Sequence, residues 1–395
     1  MIRKHVVGTP RIHGQDARAT PATDPTDITS CLHPKQGIFS FAHRRCKGFA
    51  DRMDTDALLA IIRDGTLTRD TAQALSAGEL ADRNAAGHTA IHAAAKYGRL
   101  RDLSAAVLSP ALLTLKNDSG YTPLHHLAYG GNLNQLPAGL IKRSDFLVRS
   151  NSGYTPLHIA AATGYLDQLP ANEIQVDTEL LLLRTDLGNT LIHEAAEAGT
   201  LDRLPQSALT EQLLSERNLS GETVLHVAAL NGNLNQIPSA LLTPKALLRT
   251  TKAGDTVLHA AAISGHLGQL PAKVLSHDNL ILKSKTGYTV IHAAAETGQL
   301  DRIPAANLTT DLLLTRNDHG DTPLHAAAFE GHLDQIPSEL FTAELLGTRN
   351  YAGVTPMDTA IRQGHIDQLP EALRPKPTGV FTRAMIKLGL SHSQS

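Results

Sequence analysis

Histidine is the residue type whose number and spacing in this sequence first suggest chemistry. There are 20 histidines in 395 residues, and eight recur at a near-constant interval: His92, His125, His158, His193, His226, His259, His292 and His325. Imidazole binds zinc at about 2.0–2.1 Å, whereas neighbouring packed helices lie roughly 8–10 Å apart. Histidines that each lie on their own helix therefore cannot share an ion. We predict instead that each ring hydrogen-bonds backbone in an adjacent turn, because buried polar groups find partners.

Two further patterns resemble metal sites. "HEAAE" at 193–197 differs from the zinc-protease pattern H-E-x-x-H in its last residue, Glu197, so the pair of imidazoles on one helix face is lost. Four zinc-type ligands also lie near the N-terminus: Cys31, His33, His43 and Cys46. Their spacing matches no common zinc finger. We keep these four as a weak candidate metal site; the alternative is that they are scattered through a disordered leader.

The sequence holds no pattern typical of a catalytic centre. A phosphate loop, a dinucleotide fingerprint and G-x-S-x-G are all missing from it. We therefore predict neither an enzyme nor a bound cofactor. The formal net charge of −2 gives no bulk attraction to nucleic acid or to a membrane surface. No apolar run approaches the ~20 residues of a membrane span.

A fixed period organises most of the chain. Glycines that precede a Thr-x-Leu/Ile-His pattern, or its variant in the last copy, recur at steps of 33 residues with one step of 35: Gly87, Gly120, Gly153, Gly188, Gly221, Gly254, Gly287, Gly320 and Gly353. A second glycine follows each of these by eleven residues. Such a period predicts a stack of similar units that bury their apolar sides against one another. We number the units repeats one to nine by these anchor glycines.

Each interval between the two glycines has the features of a short helix. In "GDTPLHAAAFEG", Thr322 is placed to cap the N-terminus, Pro323 suits the first helical position, and Gly331 suits a left-handed C-terminal stop. Together with "YTPLHHLAYGG" and "YTPLHIAAATG", the period resembles the ankyrin repeat family over residues 87 to about 373. The resemblance implies an all-α, ankyrin-type α-solenoid of stacked helix–turn–helix repeats, curved, with protruding turns, that acts as a protein-binding scaffold.

The periodicity also predicts domain boundaries. Residues 1–52 lack the repeat and are basic, and we interpret them as a disordered leader; one hypothesis is that translation starts at Met53, so that the leader is not native. The repeat domain is predicted to span 53–373, with an N-terminal cap at 54–86 that holds a half-copy, "ALLAIIRDGTL". Residues 374–395 are predicted to form a linker and a short amphipathic tail, which either caps the last repeat or docks elsewhere.

A proline recurs six residues after the second glycine of every repeat but the first: Pro137, Pro170, Pro205, Pro238, Pro271, Pro304, Pro337 and Pro370. A proline inside a helix costs about 3 kcal/mol or more. We therefore predict a short second helix that begins late, with the Asp or Asn three residues before the proline as its N-cap; Asp334 is one example. Another cap-type residue, eleven before the next anchor glycine, predicts a short extra third helix in each repeat, with residues such as Leu346 pointing inward.

Aromatic and acidic side chains at the turns and first-helix ends are candidates for partner binding, because exposed aromatic rings make good binding anchors. The candidates are Tyr97, Tyr121, Tyr129, Tyr154, Tyr165, Tyr288, Asp255 and Asp321. The alternative is that several of the tyrosines pack sideways on the next repeat. We expect the partner to be held mainly by repeats one to three, where five of the tyrosines lie.

A basic residue four before almost every anchor glycine could track phosphates, but residues 53–395 sum to −7, from 27 basic and 34 acidic residues. We place these cations at the negative pole of the third helix instead. The sequence thus predicts a soluble, cytoplasmic, monomeric scaffold that binds another protein through its concave face and turns, without nucleic acid, membrane or cofactor. The alternative is an effector delivered into another cell; an enzyme and a nucleic-acid binder are disfavoured.

Overall fold

The protein is described from a computed structural model, which covers residues 54–85, 87–204 and 208–375. These residues belong to one compact unit, Met53–Ser395. They form helices and turns with no β-strand among them, only isolated bridges between the two arms of five turns. The all-helical stack predicted from the sequence is confirmed.

The first helix of each repeat lies between the two glycines, as predicted. These helices are Ala90–Lys96, Pro123–Gly130, Pro156–Thr163, Leu191–Ala198, Val224–Leu230, Val257–Ile263, Val290–Glu296, Pro323–Glu330 and Pro356–Gln363. Thr322 occupies the N-cap position of the eighth, with Pro323 in the first turn. Gly331 ends that helix at φ 86°, in the left-handed region that a residue with a Cβ adopts at a cost.

Successive first helices pack against one another along the whole described array. Their alanines allow this close approach: Ala94 and Ala95 in repeat one are fully buried, as are Ala294 and Ala295 in repeat seven. At the N-terminal end the helix Thr55–Arg63 packs on the first helix of repeat one. Leu58 and Ile62 supply its buried side, so this half-copy covers apolar surface that the first repeat would otherwise expose.

The region around the recurring proline differs from the prediction. A one-turn 3₁₀ helix comes first: Leu100–Asp102, Leu133–Gln135, Leu166–Gln168, Leu201–Arg203, Leu234–Gln236, Leu267–Gln269, Leu300–Arg302, Leu333–Gln335 and Ile366–Gln368. Asp334 lies inside this turn, and His332 holds the N-cap position, so the predicted capping role of Asp334 is wrong.

The cause is the residue before the proline. Ile336 is extended, at φ −88° and ψ 126°, because the proline ring disfavours a helical conformation in the residue that precedes it. No helix that starts at residue 334 can therefore run through Pro337. Pro337 instead precedes a second 3₁₀ turn, Ser338–Leu340, and equivalent turns are Ser239–Leu241, Ala272–Val274 and Glu371–Leu373. Pro205 lies outside the described residues.

The predicted third helix is confirmed. It spans four or five residues: Ala77–Ala81 in the cap, then Pro110–Leu113, Thr178–Leu181, Glu211–Leu214, Pro244–Leu247, His277–Leu280, Thr310–Leu313 and Ala343–Gly347, with the 3₁₀ helix Arg143–Leu147 in repeat two. Thr342 caps the helix of repeat eight by accepting a hydrogen bond from Leu345 N. The inward residues predicted from the sequence, Leu346 among them, are buried in every copy.

A glutamine at the end of the 3₁₀ turn joins repeats two, five, six, eight and nine to the repeat before them, a role that was not predicted from the sequence. Repeats one, four and seven have Asp102, Arg203 and Arg302 at this position. The Gln335 side chain donates from Nε2 to Gly298 O at 2.8 Å and accepts from Leu300 N at 3.0 Å. Gln236 and Gln368 make the same pair of bonds. The residue type repeats visibly in "LDQLP" and "LNQIP", so its recurrence was the available signal.

We predict that Gln335→Ala lowers the free energy of unfolding by about 1–3 kcal/mol, because it leaves a backbone donor and acceptor of repeat seven without partners. Urea unfolding followed by circular dichroism measures this. The matched control is Asp334→Ala, which removes an exposed side chain next to it and is expected to change stability by less than about 0.5 kcal/mol. A larger loss of stability in Asp334→Ala would indicate that the Asp334 side chain does cap a helix.

Candidate functional site

The eight recurring histidines are structural; seven of them link successive repeats, and His158 bonds Leu183 O at the end of its own repeat. Each ring lies within 2.6–2.9 Å of the N-cap threonine hydroxyl through Nδ1. Each Nε2 lies 2.8–3.3 Å from a backbone carbonyl nearer the C-terminus. For His226 that carbonyl belongs to Asp255, in the turn of the next repeat. The prediction that these rings bond backbone in an adjacent turn is confirmed.

The hydrogen bonds fix the protonation state of the ring. The backbone N–H of Thr223 donates to His226 Nδ1 at 3.2 Å, so Nδ1 carries no proton and Nε2–H donates to the carbonyl. Burial lowers the pKa of His226 to about 4, because the charged ring would lose its hydration. The same cause lowers the pKa of five others to about 4: His92, His125, His158, His193 and His292.

Repeat nine shows what happens where no further repeat follows. Asp358 replaces the histidine there, and its carboxylate accepts from Thr355 N at 3.0 Å. An aspartate caps the helix as the imidazole does, but its carboxylate cannot donate a hydrogen bond. Among the described residues no turn of a further repeat offers a carbonyl to accept one, and the change from histidine to aspartate fits this.

We predict that acidification destabilises the array. Well above pH 6.5 these histidines are neutral in both the folded and the unfolded state and add no pH dependence to stability; as the pH falls through 6.5 towards 4, the unfolded chain binds protons that the native array does not. Stability therefore falls as the pH falls, by about 2 kcal/mol per histidine at pH 5. Urea unfolding of His226→Gln at pH 7.5 and pH 5 measures this, and the variant should lose less on acidification than the parent protein. Equal losses of stability in the variant and the parent protein would contradict the low pKa assigned to the buried His226.

The regularly spaced cations also join repeats. Arg217 donates to Thr250 O at 2.6 Å, and Arg316 donates to Arg349 O at 2.8 Å. The same link to the carbonyl one repeat further on is made by Arg83, Lys116, Arg149 and Arg184. These charged groups are committed to the backbone of the neighbouring turn, which supports a structural role over a track for phosphates.

One surface of the array gathers the side chains that differ most between repeats. It consists of the residue after each anchor glycine and the last turn of each first helix, and we call it the first-helix face. In repeat seven the Tyr288 hydroxyl donates to the Glu296 carboxylate, which shows that the two positions are adjacent. Burial raises the pKa of that hydroxyl, and the nearby Glu296 adds to the effect.

The N-terminal part of this face is aromatic and basic. A cavity of about 420 Å³ opens between the cap and repeats one and two, and residues lining it include Arg63, His88, Lys96, Tyr97 and His126. Tyr97 is 42% exposed. Lys96 Nζ lies 5.5 Å from the ring centroid of Tyr97 and 5.4 Å from that of Tyr129, so one cation joins the two predicted aromatic residues.

Other predicted tyrosines are packing residues. Tyr154 is only 5% exposed, so the expectation that it is an exposed anchor is wrong; its ring meets His158 edge-on at 6.0 Å. Tyr165 is half-buried, and its ring lies where a Cβ on Gly131 of the preceding repeat would meet it at 2.7 Å. Tyr121 is half-buried against His125. The sideways packing considered as the alternative accounts for these three rings.

The C-terminal part of the face, in repeats five to eight, is acidic and apolar. Asp255 and Asp321 are half-buried, and Asp321 accepts from Asn350 Nδ2 at 2.6 Å. Three large apolar residues occupy equivalent positions four residues after the ladder histidine, and they stay exposed: Leu230 at 37%, Ile263 at 46% and Phe329 at 55%. These three residues were not predicted as contacts from the sequence; the recurrence of apolar residues at this one position across repeats was the available signal.

A buried carboxyl lies in the first helix of repeat four. Glu194 is 1% exposed; Oε1 accepts from Asn189 Nδ2 at 3.1 Å, and Oε2 has no hydrogen-bond partner among the described residues. Burial raises its pKa to about 8, with a further contribution from the charge of Glu197. The "HEAAE" segment is thus a helix whose histidine belongs to the ladder and whose first glutamate is neutral at pH 7.

We predict that Glu194→Gln stabilises the protein by roughly 3 kcal/mol at pH 7. The unfolded chain releases the Glu194 proton above pH 4.5 while the native protein keeps it to about pH 8, so this group costs stability increasingly as the pH rises through that window. The gain should vanish at pH 4. Urea unfolding at both pH values tests this, with the exposed Glu344→Gln as control. A destabilised Glu194→Gln at pH 7 would contradict the burial argument.

The described residues contain no cluster of three or more His, Cys, Asp or Glu side chains arranged to hold a metal ion. The weak candidate at Cys31, His33, His43 and Cys46 lies outside those residues. Within the described part of the chain, no helix is both long enough and apolar enough to cross a membrane.

Comparison with known proteins gives a match to one family. The model of the ankyrin repeat family matches residues 319–340, which hold the turn and first helix of repeat eight and the two 3₁₀ turns that follow. No curated protein matches the chain.

Proposed function

Since this chain is an ankyrin-type repeat protein, we propose that it is a non-catalytic scaffold that binds another protein through its first-helix face and the adjoining turns. We take the first-helix face to be the concave side on which the partner is predicted to bind. We also propose that the protein is cytoplasmic and monomeric.

The row of exposed apolar side chains carries the proposal. Leu230, Ile263 and Phe329 lie on otherwise well-buried helices, at a position where the other repeats hold Lys, Tyr, Ala, Glu or Arg. Exposed apolar side chains that line up in register leave an apolar surface uncovered, and such surfaces on soluble proteins mark interaction sites. Variation at this position, on a framework that repeats, suits recognition of one partner.

The framework behind the face is stiff, which favours binding. Every junction between successive repeats has at least one of the histidine, glutamine or cation links, so the face needs little ordering when a partner arrives. We propose Tyr97 and Tyr129 as partner contacts in repeats one and two, and Asp255, Tyr288 and Asp321 as contacts further along. Tyr121, Tyr154 and Tyr165 are left out because their rings are committed to packing.

Site-specific photo-crosslinking tests the proposal. A photoreactive phenylalanine analogue is placed at position 97, 230 or 329 of the full chain, in cells that naturally produce it, and crosslinked proteins are identified by mass spectrometry. We expect one protein to be captured from all three positions. Position 147, on the third-helix side, is the control; Leu147 is 36% exposed, similar to Leu230. Capture only from position 147 would sink the proposal.

The contribution of the aromatic pair is then measured with the captured protein. We expect Tyr97→Ala with Tyr129→Ala to weaken binding at least tenfold, because aromatic side chains near the centre of an interface commonly contribute more than about 1 kcal/mol each. Tyr351→Ala is the matched control, since Tyr351 is 76% exposed at a turn tip rather than on the helices. Unchanged affinity in the double variant would place the interface elsewhere on the array.

A further inference from the structure

The C-terminal part of the first-helix face has one sign of charge. Five carboxylates lie there in repeats five to eight, either after an anchor glycine or at the end of a first helix: Glu222, Asp255, Glu296, Asp321 and Glu330. At the corresponding positions of these four repeats no lysine or arginine occurs. We call these carboxylates, with Leu230, Ile263 and Phe329, the acidic-apolar face.

These carboxylates are not neutralised by the protein itself. Among the described residues, the ion pairs involve other acids, such as Asp118, Asp186 and Asp318 near the turn tips. Where the five have partners, the partners are uncharged: Asn218 for Glu222, Asn350 for Asp321 and the Tyr288 hydroxyl for Glu296. Their full negative charges therefore act on whatever approaches the face.

The contrast with repeats one to three is sharp. There the same positions hold His88, Tyr121 and Tyr154 after the glycine, and Lys96, Tyr129 and Ala162 near the helix end, with no carboxylate. The face thus has an aromatic, weakly basic half and an acidic-apolar half. A partner lying along it meets the two halves in a fixed order, so its own charge distribution is constrained.

Lysines occur nearby but at the margin. Lys252 and Lys285 lie at exposed turn tips, two residues before the anchor glycines of repeats six and seven. They lie outside the row of first-helix ends, so the acidic-apolar face itself remains negative. In these two repeats the lysines would repel a basic partner from the turn tips and favour its binding along the first helices.

We propose that the acidic-apolar face binds a basic polypeptide segment of the partner protein, with apolar side chains that recur at intervals of about 10 Å. The proposal rests on the protein-binding function proposed above and specifies the chemistry of what is bound. Unpaired carboxylates beside exposed apolar groups favour lysine and arginine beside apolar side chains, and charge complementarity of this kind sets specificity and association rate.

The order of side chains in the segment follows from the order on the face. Equivalent positions in repeats five to eight read Leu230, Ile263, Glu296 and Phe329. The bound segment should therefore present two apolar side chains, then a basic one, then a third apolar one. Three steps of about 10 Å span roughly 30 Å, so adjacent members are about three residues apart in an extended chain, or about six to seven in a helix.

Selection from a random peptide library tests the proposal directly, because it leaves the ligand sequence free to vary. Phage-displayed peptides of about twenty residues, long enough for either conformation, are selected on the immobilised full chain at about 150 mM salt. We expect enriched sequences with the apolar–apolar–basic–apolar order. Synthetic versions should bind at least tenfold more weakly to the triple variant D255N/E296Q/E330Q, and also to Phe329→Ala.

The control removes three carboxylates of the same kind elsewhere. D334N/E339Q/E344Q neutralises exposed acids on the turns and third helix of repeat eight, and it should bind the peptides as the parent protein does. Thermal unfolding of both triple variants separates lost binding from lost folding. Equal weakening in the two triple variants would show attraction by net charge alone and would overturn the assignment to this face.

Other outcomes are equally decisive. Enriched peptides that are neutral or acidic, or none at all, would overturn the proposal while leaving the crosslinking result, and thus the scaffold function, intact. The chain's own residues 376–395 are also basic and partly apolar. If Arg383→Glu with Lys387→Glu in the full chain raises peptide affinity tenfold or more, that segment occupies the face, and a partner segment as its natural ligand is rejected.

Discussion

The structure depends on a buried imidazole that needs two partners at once. Each ladder histidine accepts at Nδ1 from the threonine that begins its own helix and donates from Nε2 to a carbonyl outside that helix. Neither bond is dispensable, because a buried polar nitrogen without a partner costs roughly 1–3 kcal/mol. The helix start and the junction to the next turn are therefore specified by the same side chain. Seven of the eight histidines find the second partner only in the repeat that follows, and the last repeat differs by using Asp358.

The other links follow the same logic with different chemistry. A glutamine joins the 3₁₀ turn of one repeat to the preceding repeat. A cation joins the turn before one first helix to the corresponding turn of the next repeat. All of these donors reach backbone groups, whose positions are the same in every repeat whatever the side chains are. This leaves side chains on the first-helix face free to vary. The recurring proline serves the same end, since it holds the chain extended between two short turns and keeps the second element from growing into a full helix.

The face that varies is divided by charge, and the division has a physical consequence for recognition. Aromatic rings around Lys96 at one end and unpaired carboxylates with apolar side chains at the other present different chemistry about three repeats apart. A partner that complements both ends binds in one direction only, because reversal would place its basic segment against lysine. The pKa of the buried His226 is lowered to about 4 and that of the buried Glu194 is raised to about 8, so their charge states in the folded protein change little between pH 6.5 and about 7.5.

The sequence by itself determined the repeat, the helix starts and stops, the third helix and the structural use of the histidines. These features depend on contacts within one period or on exact recurrence, and a fixed interval reveals both. It did not determine the backbone conformation around Pro337. That conformation depends both on the extended Ile336 and on the hydrogen bond from the Gln335 side chain to repeat seven. Nor did it separate Tyr97 from Tyr154. Both are tyrosines at repeat margins, and only packing against neighbours exposes one and buries the other. Exposure depends on what lies in the adjacent repeat, and that is a property of the stack.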